Sequence, residues 1–278
     1  MNFSVIALIF VLFISCKNYR PLIKIENLNG NRISVLGHGG MGMRFKFPVN
    51  SDESLNTCLS LGSDGTECDI QLSADSVLII YHDNDLYEKT LCSGVISNKN
   101  WPDLLGCDYT RPFSSKLNIL SLKGWYNSIK GVYGSPVIAL DCKLRNGTLN
   151  YEMYRDKFAR AVLNFITENS NFSKVNVESS DIEFLKTLRK NNPLVRTFLY
   201  TSDIQGGINS ADFLTGITIN TIVITASDIR LLHSNNLQVA LFGMLKKKDN
   251  MLAIEKSPDF VQCDKIIEML QLLDRYKK

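Results

Sequence analysis

A (β/α)8 barrel, an α/β fold with a β-hairpin extension after its second strand and a small irregular insertion, is the architecture that the sequence predicts. Three observations predict it. Short apolar runs alternate with helix-patterned stretches, the mark of a parallel sheet covered by helices. Eight of these runs have strand character, over residues 33–37, 66–70, 137–142, 174–177, 196–200, 221–225, 238–242 and 260–262. The 278 residues also leave little beyond the roughly 250 that one barrel needs.

Helices are expected over 52–61, 151–167, 182–190 and 227–233, the last opening on Ser227 and Asp228 as N-cap residues. The run 77–81 is also strand-like, yet only Ser73-Ala74-Asp75-Ser76 separates it from the second strand. Parallel neighbours need a crossover of about a dozen residues or more, so these two runs must form an antiparallel hairpin. A hairpin centred on Ala74 and Asp75 would set His82 opposite Glu67. No repeat or low-complexity linker divides the remainder, so one domain is expected over 31–278.

With 45% apolar and 21% charged residues, the composition is that of a globular domain. The formal net charge of +3 is small, and no basic run interleaved with aromatics is present, which argues against nucleic-acid binding. Lys246, Lys247 and Lys248 read as a solvated loop.

The N-terminus carries an apolar run from Val5 to Ile14, followed by Ser15 and Cys16. About twenty apolar residues are needed to span a bilayer; this run is shorter and reads as the core of an export signal. Phe13-Ile14-Ser15-Cys16 resembles a bacterial lipoprotein signal, in which a small residue precedes a cysteine that becomes lipid-modified after cleavage. The resemblance implies a signal peptide over 1–15, lipid attachment at Cys16, a tether over 16–30, and a membrane-anchored barrel facing the periplasm or cell exterior. The basic residue expected before the apolar core is missing, and an ordinary cleaved signal or short anchor is the alternative. The seven cysteines match no zinc-binding spacing. Cys92 and Cys107 share one irregular segment, where a disulfide and two free thiols both remain open.

Three pieces of sequence place polar groups where strands end. Gly37-His38-Gly39-Gly40 closes the first strand, Glu67-Cys68-Asp69 lies on the second with Tyr81-His82-Asp83 after it, and Asp141-Cys142-Lys143 closes the third. Residues two apart on a strand share a face, so Glu67 pairs with Asp69 and Asp141 with Lys143. Three carboxylates converging at a barrel mouth repel one another unless a cation lies among them, and oxygen ligands suit Ca2+ or Mg2+. Two of the three histidines reach the same mouth, and histidine is the side chain suited to moving protons near neutrality. His233, late in a predicted helix, reads as structural.

From about Ser34 onward the chain resembles the glycerophosphodiester phosphodiesterase family. The family pattern has a histidine closing strand one, P-E-N-T opening a helix, G-A-D-x-x-E-x-D-V, and a strand ending in H-D; here stand His38, Pro48-Val49-Asn50-Ser51, Gly62-Ser63-Asp64-Gly65-Thr66-Glu67-Cys68-Asp69-Ile70 and His82-Asp83. Leu140-Asp141-Cys142-Lys143 resembles the E-x-K strand end, Val177-Glu178-Ser179 the V-x-S element, and Val261-Gln262-Cys263-Asp264 the terminal I-x-T-D strand. The resemblance implies that His38 and His82 are the catalytic acid and base. It further implies that Glu67, Asp69 and Asp141 hold the divalent cation and that Lys143 contacts the phosphate. The implied activity is hydrolysis of a small glycerophosphodiester to an alcohol and sn-glycerol 3-phosphate, through a cyclic phosphate that water opens.

Gly39 stands where the family has arginine, Val49 where P-E-N-T has glutamate, Asp141 where glutamate is usual, and Leu241-Phe242-Gly243-Met244 replaces W-T-V-N. Losing a cation and an anion from one region fits a coordinated change. Arg44 in the intervening loop is read as solvated, with a role as replacement cation as the alternative. The D-x-K strand end also occurs in phospholipase-D-like and sphingomyelinase-D-like barrels, which form the second reading. A non-catalytic phosphodiester-binding lipoprotein is the third.

Overall fold

The computed structural model describes residues 24–43, 45–110, 116–144, 150–169 and 172–276. The apolar N-terminal run, Cys16 and Arg44 therefore lie outside the described residues. Among the described residues there are ten strands: β1 (Ser34–Gly37), β2 (Gly65–Leu72), β3 (Leu78–Ile80), β4 (Leu120–Ser121), β5 (Val137–Cys142), β6 (Val175–Ser179), β7 (Arg196–Tyr200), β8 (Gly216–Asn220), β9 (Gln238–Met244) and β10 (Phe260–Cys263). The parallel order runs β1, β10, β9, β8, β7, β6, β5, β2, and β2 pairs back to β1, so eight strands close a barrel. The helices are α1 (Asp52–Ser60), α2 (Trp101–Leu104), α3 (Leu122–Ile129), α4 (Tyr151–Glu168), α5 (Ile182–Asn191), α6 (Ile204–Ile208), α7 (Ala226–Ser234), α8 (Lys247–Glu255) and α9 (Ile266–Leu272). The expected (β/α)8 fold is present.

Strand alternation sorts the side chains into two sets. Outward positions such as Val35, Cys68, Ile138, Val177, Ile217, Val239 and Val261 join the helices in one large apolar core. Inward positions fill the barrel in layers. At the strands' N-terminal end Arg196 Nε donates to Asn176 Oδ1 at 2.8 Å, and its Nη2 to Gln238 Oε1 at 2.5 Å. Above this plug lie Leu36, Ala139, Phe198, Ala240 and Phe260, with the two phenylalanines edge-on at 5.8 Å. The interior space left at the C-terminal end goes to polar side chains, which is where the site forms. At the opposite end, Asn27 and Asn29 bond to the carbonyls of Pro258 and Asp259, so contacts with the barrel begin inside the segment read as a tether.

Three local expectations need correction. The sixth barrel strand is Gly216–Asn220, whereas Thr221–Val223 forms a 3-10 turn. All five residues of 221–225 are β-branched against three of five in 216–220, so local propensity points to the wrong stretch. Burial decides instead: Ile217 and Ile219 reach the helix-side core, while Ile222 is 84% exposed. The side chain of Asn220 accepts from Ile222 N and ends the strand. Second, α7 is capped by Thr225 in a capping box with Asp228, one residue before the helix, and Ser227 is helical. Third, β3 pairs with β2 in the predicted antiparallel sense, but with Ile70 opposite Ile80. Ser73 N bonds to Val77 O, making a three-residue loop with Ser76 at φ 70°. This shifts the register by one, so His82 falls level with Cys68 instead of Glu67.

From β3 the chain enters the predicted irregular insertion, which has a core of its own built from Ile79, Tyr81, Leu86, Ile96, Leu104, Tyr109 and their neighbours. Cys92 and Cys107 are bridged there, resolving the choice left open by the sequence. His233 is structural, its Nε2 2.9 Å from Asp259 Oδ2 on the far side from the mouth. Because the bridge closes a loop across a sequence separation of 15 residues, replacing Cys92 and Cys107 together by serine should cost the lobe about 3 kcal/mol. Limited proteolysis should then cut within residues 84–119 faster than in the wild type, while the barrel's fragments stay protected.

Candidate active site

His38 is the first residue beyond β1, anchored by its N–H to Cys263 O at 3.3 Å. Its Nδ1 lies 3.2 Å from Asp264 Oδ1, which also accepts from Met43 N at 2.8 Å. With Nδ1 donating to Asp264, Nε2 is left for proton exchange at the pocket. Burial by itself would lower the His38 pKa. The Asp264 hydrogen bond and the charges of Glu67, Asp264 and Asp69 outweigh it and raise the pKa to about 9. The turn after His38 needs Gly42 at φ 84°, since a Cβ there would stand 2.4 Å from Asp264 Cα.

Glu67 and Asp69 point inward from β2 and Asp141 from β5, and one carboxylate oxygen from each lies within 4.8 Å of the others. The register Asp69↔Asp141 and the barrel twist bring them together. Each is held by specific donors. Gly39 N donates to Glu67 Oε2 at 2.7 Å, and Asn50 Nδ2 to Asp69 Oδ2 at 2.7 Å, while Asp69 N donates to Asn50 Oδ1 at 3.1 Å. Lys143 Nζ stands 3.0 Å from Asp69 Oδ1 and 2.5 Å from Asp141 Oδ2. Burial, with Asp69 nearby, pushes the Glu67 pKa well up, and burial also raises Asp141. Burial works against Asp69 too, but Lys143 foremost, with His82 and the Asn50 bond, keeps it below its ordinary value. Three carboxylates on one cradle, two buried and Asp141 half-buried, fit a hard divalent cation.

A cavity of about 430 Å3 reaches this cradle at Asp69 and is lined also by both histidines, Asn50, Met43, Phe47, Val49 and Tyr109. His82 reaches it because β3 ends at Ile80 and the chain turns; its Nδ1 is 2.8 Å from Asp83 Oδ1. The sequence-predicted residues His38, His82, Glu67, Asp69, Asp141 and Lys143 therefore meet at one mouth.

The model of the Glycerophosphoryl diester phosphodiesterase family matches residues 38–268. The chain belongs to this family. A glycerophosphodiester phosphodiesterase of Bacillus altitudinis is 22% identical over 163 residues, 59% of this chain and 65% of that protein, so the match spans less than two thirds of the relative. A glycerophosphodiester phosphodiesterase from Parabacteroides distasonis superposes with a TM-score of 0.72 at 18% identity, covering 87% of this chain and 97% of that one. An Oleispira antarctica phosphodiesterase, solved with the product sn-glycerol-3-phosphate, gives a TM-score of 0.72 at 17% identity over 87% and 96% of the two chains. At these identities the structural likeness speaks for the fold alone.

Gly39, where the family pattern has arginine, has φ 54°, and a Cβ built on it would lie 2.7 Å from Val49 Cβ. A side chain at position 39 therefore needs the backbone at Val49 to shift. Sequence reasoning singled out neither Asp264, Asn50 nor Glu178 as site residues. Asp264 and Asn50 stood inside quoted family motifs, and the pairing of Gly37 with Cys263 puts Asp264 beside His38. Glu178, level with Asp141 on β6 and bonded to Gln262 Nε2 at 2.7 Å, is raised to about 7 by burial first and by Asp141. In the sequence it stood at the variable position of the quoted V-x-S element. Asn50→Ala removes both bonds to Asp69 from a buried place and should cost about 1–3 kcal/mol in urea denaturation, with serine at the same position recovering only part.

Proposed function

We propose that this protein is an exported, metal-dependent phosphodiesterase that converts a glycerophosphodiester to an alcohol and sn-glycerol 3-phosphate, with His38 and His82 as acid and base. One observation carries the reading: both histidines line the cavity that reaches the three-carboxylate cradle at Asp69. The names of the Bacillus altitudinis and Oleispira antarctica relatives support it. In the reaction, a hydroxyl of the substrate's glycerol attacks phosphorus. One histidine takes the hydroxyl proton as the new O–P bond forms; the other protonates the departing alcohol oxygen as its P–O bond breaks. Water then opens the cyclic phosphate with the two roles exchanged. Asp264 fixes the ring of His38, and Lys143 is the cation that would meet the phosphate oxygens. A Ca2+ or Mg2+ ion held by Glu67, Asp69 and Asp141 would offset charge developing on the phosphoryl group. The apolar wall of Met43, Phe47 and Val49 favours, as a second reading, lysophospholipid or sphingomyelin cleavage in the manner of phospholipase D. Lipid attachment at Cys16 would place the barrel on a membrane, outside the cytoplasm.

Phosphorus NMR with glycerophosphocholine, glycerophosphoinositol, lysophosphatidylcholine and sphingomyelin tests substrate and course together. The sn-glycerol 3-phosphate resonance should appear with the first two, and turnover of the last two alone would favour the second reading. His38→Ala and His82→Ala should each lower kcat by at least about a hundredfold with the fold intact; turnover near wild type removes that residue from the mechanism. EDTA should abolish activity and Ca2+ or Mg2+ restore it, with Asp69→Asn needing more ion. Palmitate labelling of the wild type, lost in Cys16→Ser, tests the anchor.

A further inference from the structure

The ammonium of Lys143 lies on the edge of the cradle that a cation would use. It contacts Asp69 Oδ1 and Asp141 Oδ2, two of the three carboxylates whose oxygens cluster within 4.8 Å. The other oxygen of Asp69 is engaged by Asn50 and Glu67 is met by a backbone N–H, whereas Lys143 brings a full positive charge into direct contact with the cluster. Its backbone is fixed, N–H to Ile70 O at 2.8 Å, while its four-carbon stem carries a point charge that can be moved without disturbing the strand. Two cations contend for one carboxylate edge.

We propose that Lys143 is the cradle's internal counter-cation: it holds Asp69 and Asp141 together until a divalent ion enters, then yields that edge and becomes available to an anionic ligand in the cavity. The inference rests on the reading of Glu67, Asp69 and Asp141 as a cation site. It makes Lys143 a positioning residue as well as a phosphate contact, and it predicts an antagonism that a lysine devoted to phosphate alone would not produce. Removing the side chain should weaken the cradle without ion and strengthen its hold on the ion.

Isothermal titration calorimetry of Ca2+ and Mg2+ into the chelator-stripped full chain, Lys143→Met and Lys143→Arg, with thermal unfolding of each, tests it without any turnover assay. Lys143→Met should bind the ion at least about tenfold tighter, as expected for losing a unit charge a few ångströms away. It should also melt below the wild type without ion and gain more from ion addition, while Lys143→Arg stays close to wild type in affinity. Affinity unchanged or weaker in Lys143→Met, or an ion-free melting point equal to wild type, overturns the proposal. Should Lys143→Met fail to fold even with ion, Lys143→Gln carries the same two readings. Absence of ion binding in every protein would overturn the cation reading beneath, whereas intact binding with unchanged affinity overturns the role of Lys143 alone.

Discussion

Like charges forced together inside the barrel mouth are the constraint around which the rest of this structure is arranged. Glu67, Asp69 and Asp141 are drawn from two adjacent strands into a space under 5 Å across, the first two buried and Asp141 half-buried. Burying one uncompensated carboxylate is costly and burying three is prohibitive. The neighbouring chain supplies the compensation: the Lys143 ammonium, the Asn50 amide, the Gly39 N–H and the His38 imidazole all face the cluster or its charge. His38, Gly39 and Asn50 come from the connection after β1, and Lys143 follows β5. The site thus depends on the closed barrel, because no short segment contains all of the charges and all of their partners.

The same layer logic explains why the mouth is polar while the barrel remains solid. Two strand steps separate the phenylalanine layer from the carboxylates on β5 and its neighbours, so apolar packing below props the charged layer above. Arg196, stacked over Phe198 and Phe260 at 5.7 and 5.9 Å, closes the other end with bonds to Asn176 and Gln238.

Much of this was legible in the sequence because strand periodicity is short-range. Glu67 and Asp69 share a face with Cys68 opposed, and Asp141 with Lys143, as alternation alone requires. The hairpin followed from the length of its turn. What alternation cannot supply is the pairing of distant segments and the choice between competing local preferences. Asp264 meets His38 across 226 residues, and Asn50 meets Asp69 from a loop whose path no pattern encodes. Residues 221–225 are more β-branched than 216–220, yet tertiary burial chose the latter as the strand. The one-residue slip at His82 arose from a three-residue loop that places Ser76 in a left-handed conformation, a turn choice made by backbone geometry more than by composition.

Asn27 and Asn29 dock the start of the described chain onto Pro258 and Asp259, at the end of the barrel sealed by Arg196. The described chain therefore begins at the pole opposite the cavity. A surface, bead or fusion partner joined directly at residue 24 would be attached at that pole, leaving the approach to the cavity directed outward. Immobilised in that orientation, the barrel would sample solutes on the side away from its support.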